Sequence, residues 1–346
     1  MSTLPTPISA YKEATKTLEA IDAAILAKAE NGFRPHLGAS QIGKPCERAL
    51  WLSFRWTKRA SFPARVLRVF ARGHREEANL TALLESSGIK VSTFDPATGK
   101  QYRLGGAHFS GSCDGMADGV PESPRVRHIV EYKTSNAKEF GKLRADGVRK
   151  AKPEHYDQMQ CYMRWAGLKR ALYVSVCKDN DELHIERIDY DEDHAAKLQT
   201  KAERIIYAAR MPEPISADPS WYQCKFCDAK DLCHSTKLTQ EVNCRTCCHS
   251  TPTKEGDWHC ARWDACVPTE HQRTGCDSHV LHPDLVPWPM GESDKEWSAV
   301  YVVRGLNVIN GEDGYKSSEL IANAELCASG AADEWKAKFP GARVVG

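Results

Sequence analysis

The 346-residue chain carries 41% hydrophobic and 27% charged residues, and its charges nearly cancel to a net +1. That balance fits one large globular domain, or one domain with an appendage, and it excludes a chain that holds nucleic acid by bulk charge, so attraction for DNA must come from local patches. With no apolar run near the ~18 residues of a membrane helix and no apolar signal core at the N-terminus, the expected location is the cytoplasm, where the fourteen cysteines should serve metals rather than disulfides.

In chain order, residues 8–30 read as an amphipathic helix with Leu18, Ile21, Ala24 and Ile25 on one side. The loop NGFRPHLGAS follows, with Ser40 placed to cap the next segment, and ERALWLSFRW after Cys46 reads as a helix. Pro63 opens a longer helix that ends at Gly88. KVSTFD, YRLGG, FSGSCDGMADG and HIVEYKT have the β-branched and aromatic content of strands, with turn residues between them. Helical patterns return over Lys138–Lys150 and in PEHYDQMQCYMRWAGL. Strands ALYVSVCKD and ELHIERIDYD flank the turn Asp179-Asn180-Asp181, and a helix from Asp193 to Arg210 leads into the linker MPEPISADPS. This order predicts an α/β fold, a mixed sheet flanked by helices.

The stretch from Cys224 to Pro287 lacks apolar periodicity and is rich in Cys, His, Trp and Pro, so it is expected to fold around metals. In the last fifty residues only a helix over Ser317–Ala328 is read. The expected division is an N-terminal helical segment (1–60), a catalytic core (61–215), a cysteine segment (216–240) and a Cys/His-rich module with a tail (241–346).

Three residues point to chemistry. Asp114 lies in a strand that bends at glycine. Glu131 and Lys133 lie two apart on the next strand and therefore share a face. Two carboxylates suit a hard cation such as Mg²⁺ or Mn²⁺, and phosphodiester hydrolysis needs such a cation. A lysine beside them can orient or deprotonate water, or stabilise developing charge. Asp118 is a neighbouring carboxylate, but Asp114 fits G-x-x-D-G beginning at Gly111. His74 and Glu77 share a helix face upstream, with Val66 and Phe70 continuing that stripe toward a core. Gln158 and Tyr162 share a helix face downstream.

The series G-x-x-x-E, G-x-x-D-G, E-x-K, Q-x-x-x-Y resembles the PD-(D/E)XK superfamily, specifically its RecB-like nucleases, over roughly Gly38 to His234. The resemblance implies metal binding by His74, Asp114, Glu131 and the Tyr132 carbonyl, with Lys133 catalytic. It gives Gln158 and Tyr162 a role in supporting the site or contacting phosphates, and makes Glu77 a supporting residue. It also implies a DNA exonuclease, leaning 5'→3', in recombination, repair or phage DNA processing, with a single-strand annealing or recombination protein as an expected partner. A non-catalytic DNA-binding scaffold and an iron–sulfur regulatory protein are the alternatives.

SWYQCKFCDAKDLCH holds Cys224, Cys227 and Cys233 in a C-x2-C-x5-C spacing, one ligand short of a four-thiolate site, and Cys46 is the candidate fourth. The layout resembles iron–sulfur nucleases of the AddB and CRISPR-adaptation type, which implies a [4Fe–4S] cluster closing a very long loop. Zinc with His234 as fourth ligand is the alternative. A second set, chosen as Cys244, Cys247, Cys260 and Cys276, reads as a zinc site. Cys248 competes with Cys247, Cys266, His249, His259 and His279 lie nearby, and a second cluster is the other reading. Cys113, Cys161, Cys177 and Cys327 read as packing residues.

For DNA, two basic runs offer themselves: Arg65, Arg68, Arg72 and Arg75 along one helix, and Lys142, Arg144, Arg149, Lys150 and Lys152 before the Gln158 helix. The second is expected to steer phosphates. Trp51, Trp56, Trp221 and Tyr222 are read mainly as core residues, with base stacking as the alternative.

Overall fold

The computed structural model describes residues 14–29, 32–235, 237–303 and 305–324. Helix α1 (Thr15–Ala27) lies within the expected first helix. Strand β1 (Leu37–Gly38), the single turn α2 (Ala39–Ile42) and α3 (Glu47–Phe54) follow, then the long α4 (Ala64–Ser86). Four short strands come next: β2 (Lys90–Ser92), β3 (Arg103–Gly105), β4 (Phe109–Ser112) and β5 (Gly115–Asp118). After them run β6 (His128–Ser135), α5 (Ala137–Ala151), α6 (Pro153–Ala166), β7 (Arg170–Cys177), β8 (Leu183–Asp189) and α7 (Glu192–Ile206).

Local chemistry sets these boundaries. The Asn136 side chain accepts from Glu139 N (2.9 Å) and opens α5, and the Asp191 carboxylate accepts from His194 N (3.0 Å) and opens α7. Pro153 fits the first turn of α6, and Gly167 takes the left-handed conformation (φ 66°) that ends it.

The main sheet has the order β2-β5-β6-β7-β8. Only β6 and β7 run parallel, joined by the α5–α6 crossover; the other pairs are antiparallel. Alternation along β6 splits the core in two. Val130 and Tyr132 pack with Leu80 and Leu84 of α4 on one face. Ile129 packs on the other face with Met159, Tyr162 and Met163 of α6 and Leu198 and Ile205 of α7. Leu37, Ile42, Leu50 and Trp51 belong to this second cluster, so residues before 61 are part of the same core.

FSGSCDGMADG, expected as one bent strand, is two. β4 joins a small sheet of order β1-β4-β3, β5 joins the main sheet, and the chain changes sheets at Cys113–Asp114. The expected stripe on α4 is also corrected. Val66 is half-buried, but Phe70 is 46% exposed and packs edge-on against Phe62, because the helix's N-terminal half projects past the sheet that buries Leu80 and Leu84.

Short helix α8 (Tyr222–Lys225) carries Cys224 and α9 (Lys230–His234) carries Cys233, with Cys227 between them and Cys46 just before α3. The C-terminal module holds β9 (Ser250–Pro252), β10 (Trp258–Cys260) and β11 (Ala265–Val267) as one sheet. It ends in the hairpin β12 (Ser298–Val303)–β13 (Leu306–Gly311) and α10 (Ser317–Ala322). The sequence reading missed the hairpin, and it missed the module's own apolar cluster, formed by Leu238, Val280, Leu281, Tyr301, Val308 and Leu320. The expected last helix ends at Ala322 with Asn323 as its C-cap, and its residues 325–328, with Cys327, lie outside the described residues, as do residues 8–13 and 30 of the first. No described helix is long and apolar enough to cross a membrane.

Candidate active site

The break between the two sheets places Asp114. Gly115 pairs with Val130, so Asp114 comes level with Glu131, and its Oδ2 accepts from Tyr132 N at 2.7 Å. The glycines flanking it are required by close approach. A Cβ on Gly111 would stand 2.8 Å from the Tyr162 ring, and one on Gly115 would stand 2.9 Å from the Ser92 carbonyl oxygen. Asp118, the competing carboxylate, is half-buried and taken by Arg127 (2.7 Å).

Glu131 is 1% exposed, ion-paired through Oε1 with Lys133, and its Oε2 has no hydrogen-bond partner. Burial, then the neighbouring Glu131, push the Asp114 carboxyl up to about 8. Burial also raises Glu131, against the pull of Lys133. For Lys133, burial works toward neutrality, but Glu131 and Asp114 outweigh it and hold the ammonium above its ordinary range. Two carboxylates crowded in low dielectric, one with an open oxygen, form a site short of positive charge.

Helix α6 buttresses this point. Gln158 Nε2 donates to the Tyr162 hydroxyl (3.0 Å), which donates to the Ser112 carbonyl oxygen (2.8 Å) at the end of β4. Asp114, Tyr132, Gln158 and Tyr162 line a cleft of about 750 Å³. His74 and Glu77 line it too, 3.3 Å apart, with His74 largely exposed. Glu77 raises the carboxyls of both Asp114 and Glu131.

A cationic wall that the sequence reading missed completes the cleft. Arg34, His36 and Ser40 line it, Arg34 donates to Ser40 Oγ (3.3 Å), and Arg103 Nη2 contacts His36 Nδ1 (3.2 Å). Burial first, then Arg103 and Arg34, lower His36 to about 4 and keep it neutral. The only local hint was Arg34 and His36 inside a Gly/Pro loop before the first strand.

The expected steering run is corrected. Lys142 and Lys152 pair with Glu139, Arg144 with Glu182, Arg149 with Asp191 and Lys150 with Asp146, and none lines the cleft. Glu139 and Asp146 of α5 itself, with Glu182 before β8 and Asp191 before α7, pair that run. Of the arginines on α4, Arg68 pairs with Asp22 and Arg72 with Glu76. Trp51 and Trp56 are buried, while Trp221 and Tyr222 are exposed.

A sequence model of the PD-(D/E)XK nuclease superfamily matches residues 8–234. The chain belongs to that superfamily. No curated protein matches it. Among solved structures it is similar to an alkaline exonuclease (LHK-Exo) from Laribacter hongkongensis, 20% identical, over 54% of this chain and 90% of that one, with a TM-score of 0.37. It is also similar to a phage-related exonuclease from Haemophilus somnus 129PT, 14% identical, over 49% and 91%, with a TM-score of 0.35.

PD-(D/E)XK nucleases typically use Mg²⁺ or Mn²⁺. The residues fit such a cation: hard oxygen donors on Asp114 and Glu131, an unpartnered Glu131 Oε2, and a carboxyl at Asp114 already strained by its neighbour. Lys133 engages Oε1 of Glu131 and leaves Oε2 without a partner.

The first cysteine set also converges. Cys46, Cys224, Cys227 and Cys233 line one small cavity walled by Leu52, Pro214, Ile215 and Ala229. Arg48 Nη1 lies 3.7 Å from Cys233 Sγ. His234 lines the same cavity, and its Nε2 is buried without a partner. Burial, then Cys46, Cys233 and Cys227, raise the Cys224 thiol. Among the described residues, no three His, Cys, Asp or Glu side chains already form an ion cage.

Proposed function

We propose that this PD-(D/E)XK nuclease hydrolyses DNA phosphodiester bonds with a divalent cation, working as an exonuclease in recombination, repair or phage DNA processing. The observation that carries the reading is that Asp114, one step beyond the last β5–β6 pair, comes level with Glu131, with Lys133 bonded to the second carboxylate. The exonuclease mode, its 5'→3' leaning and a recombination partner follow from the resemblance to RecB-like nucleases.

Asp114, Glu131, the Tyr132 carbonyl and His74 would hold Mg²⁺ or Mn²⁺. The cation supplies a Lewis acid for the scissile phosphate. Lys133 is charged and 27% exposed, and it is placed to orient water or to balance negative charge as it builds on phosphate oxygens. Tyr162 and Gln158 hold the end of β4 and so fix Asp114. Arg34, which lines the cleft, offers a guanidinium fork to the DNA backbone.

Cys46, Cys224, Cys227 and Cys233 hold a [4Fe–4S] cluster in this reading. Four thiols around an apolar cavity, joined across the whole core, support it. Its role is structural closure of the nuclease core.

The test is cleavage of end-labelled single- and double-stranded linear DNA beside a closed circle, with Mg²⁺ or Mn²⁺. Cleavage that disappears in Glu131→Ala and Lys133→Ala supports the nuclease, and the label gives polarity. A metal-replete wild-type protein that binds DNA but leaves every substrate intact would point to a non-catalytic scaffold instead.

A further inference from the structure

The C-terminal module, outside the matched residues 8–234, brings four cysteines to one small cavity. Cys244 and Cys247 come from a tight 3-10 turn and the residue after it, Cys260 from the end of β10, and Cys276 from the loop beyond β11. Sequence spacing left this set open, and strand register closes it. β10 pairs His259 with Cys266 and Cys260 with Ala265. Directly paired residues share a face and successive residues alternate. Cys266 therefore lies with His259, on the face away from Cys260.

The remaining competitors are engaged elsewhere. His259 Nε2 contacts Asp264 (3.2 Å). Cys248 packs against the module's apolar cluster and does not line the cavity. His279 has both ring nitrogens occupied, Nδ1 by Ser317 Oγ (2.8 Å) and Nε2 against the Asn243 carbonyl oxygen (3.0 Å). His249 lines the cavity, but its ring lies 3.5 Å from Cys248 Sγ and edge-on to Trp297. Four thiols remain.

We propose that Cys244, Cys247, Cys260 and Cys276 bind one structural zinc ion, which fixes the turn that plugs this module into the nuclease core. Four thiolates from a C-x2-C turn and two later positions match zinc's tetrahedral, sulfur-rich preference. The module needs such a staple, because β9, β10 and β11 have only three residues each. Zinc binding draws the thiols inward by side-chain rotation, since they do not already form an ion cage.

The turn between the first two ligands carries Arg245. Its guanidinium is stacked against Phe54, Trp56 and Trp258, and it donates to the carbonyl oxygens of Phe54 (3.0 Å) and Pro35 (2.9 Å). Pro35 lies between Arg34 and His36 of the cleft wall. Holding both ends of the Cys244–Cys247 turn therefore holds Arg245, and through it that wall.

The inference does not depend on catalysis or on the iron–sulfur assignment, and its test reads metal directly. Full-length protein, purified and analysed by elemental mass spectrometry, should carry one zinc per chain beyond any held by the Cys46 set. Zinc should be lost in Cys276→Ser and Cys260→Ser and kept in Cys266→Ser, Cys248→Ser and Cys46→Ser. Should the zinc-losing variants fail to fold, cobalt-exchanged wild-type protein decides, by the d–d and charge-transfer bands of a tetrahedral four-thiolate site. No zinc in the wild type, zinc lost with Cys46→Ser alone, or a cobalt spectrum without four thiolates would overturn the assignment.

Discussion

Arg245 Nη2 donates to the carbonyl oxygen of Pro35 at 2.9 Å, across 210 residues of chain. Arg245 is 1% exposed and has no carboxylate partner among the described residues. Its charge is met by the carbonyls of Phe54 and Pro35, the Gln272 amide oxygen (2.8 Å) and three aromatic faces. Arg55, itself buried, returns a bond to the Arg245 carbonyl oxygen (3.1 Å). Core and module are thus joined by a polar plug at their shared boundary.

Arg245→Met should therefore destabilise both parts together. It leaves buried carbonyls without donors, at about 2–4 kcal/mol in total. Urea unfolding followed by tryptophan emission should show a lower midpoint, and the KM for DNA should rise as the Arg34–His36 wall loosens. An unchanged midpoint would mean that the plug contributes nothing net.

Asp114 sets a pH dependence. Its carboxyl, raised to about 8, keeps a proton in the folded state that the unfolded chain has released above about 4. Between those values the folded state binds more protons, so the metal-free protein should lose stability as pH rises from about 4 to 8, then level off. Asp114→Asn should flatten much of that slope, leaving the share due to Glu131, while abolishing cleavage. Unfolding midpoints in EDTA at pH 6 and pH 8.5 test this, and identical slopes in the two proteins would refute it. Cation binding must expel the same proton, so Mg²⁺ affinity should increase with pH over that range.

Tyr162 acts through Ser112. Tyr162→Phe removes the donor to the Ser112 carbonyl oxygen and the acceptor for Gln158, at about 1–3 kcal/mol. Cleavage kcat should fall roughly tenfold with KM little changed, the signature of a displaced carboxylate rather than lost substrate binding. A rise in KM alone would instead make Tyr162 a phosphate contact.

Cys46→Ser should remove the brown colour and the absorption near ~400 nm expected of iron–sulfur thiolate sites in anaerobically purified protein, and should lower solubility. A colourless wild type holding zinc there would transfer the site to the His234 reading, in which that ring's buried, unpartnered Nε2 supplies the fourth ligand.

The core was legible in the sequence because its periodicities are local. Period-two alternation put Glu131 and Lys133 on one face of β6, and helical spacing put Gln158 and Tyr162 on one face of α6. Motif order then identified the superfamily. Strands β9, β10 and β11 have three residues each, too few for a period to stand out.

What the sequence determined by itself was the set of residue types and their local faces: two carboxylates and a lysine, and two groups of thiols. Tertiary structure alone decided which of them meet. The jump between sheets at Cys113–Asp114 brings Asp114, not Asp118, level with Glu131. Glu182 and Asp191, distant in the chain, take Arg144 and Arg149 of the Lys142–Lys152 run. The β10–β11 register separates Cys260 from Cys266. His36, on the cleft wall, meets Arg103 because β1 and β3 flank β4. Each outcome depends on pairing between distant segments, and a local pattern carries no information about register or about which charge will lie opposite.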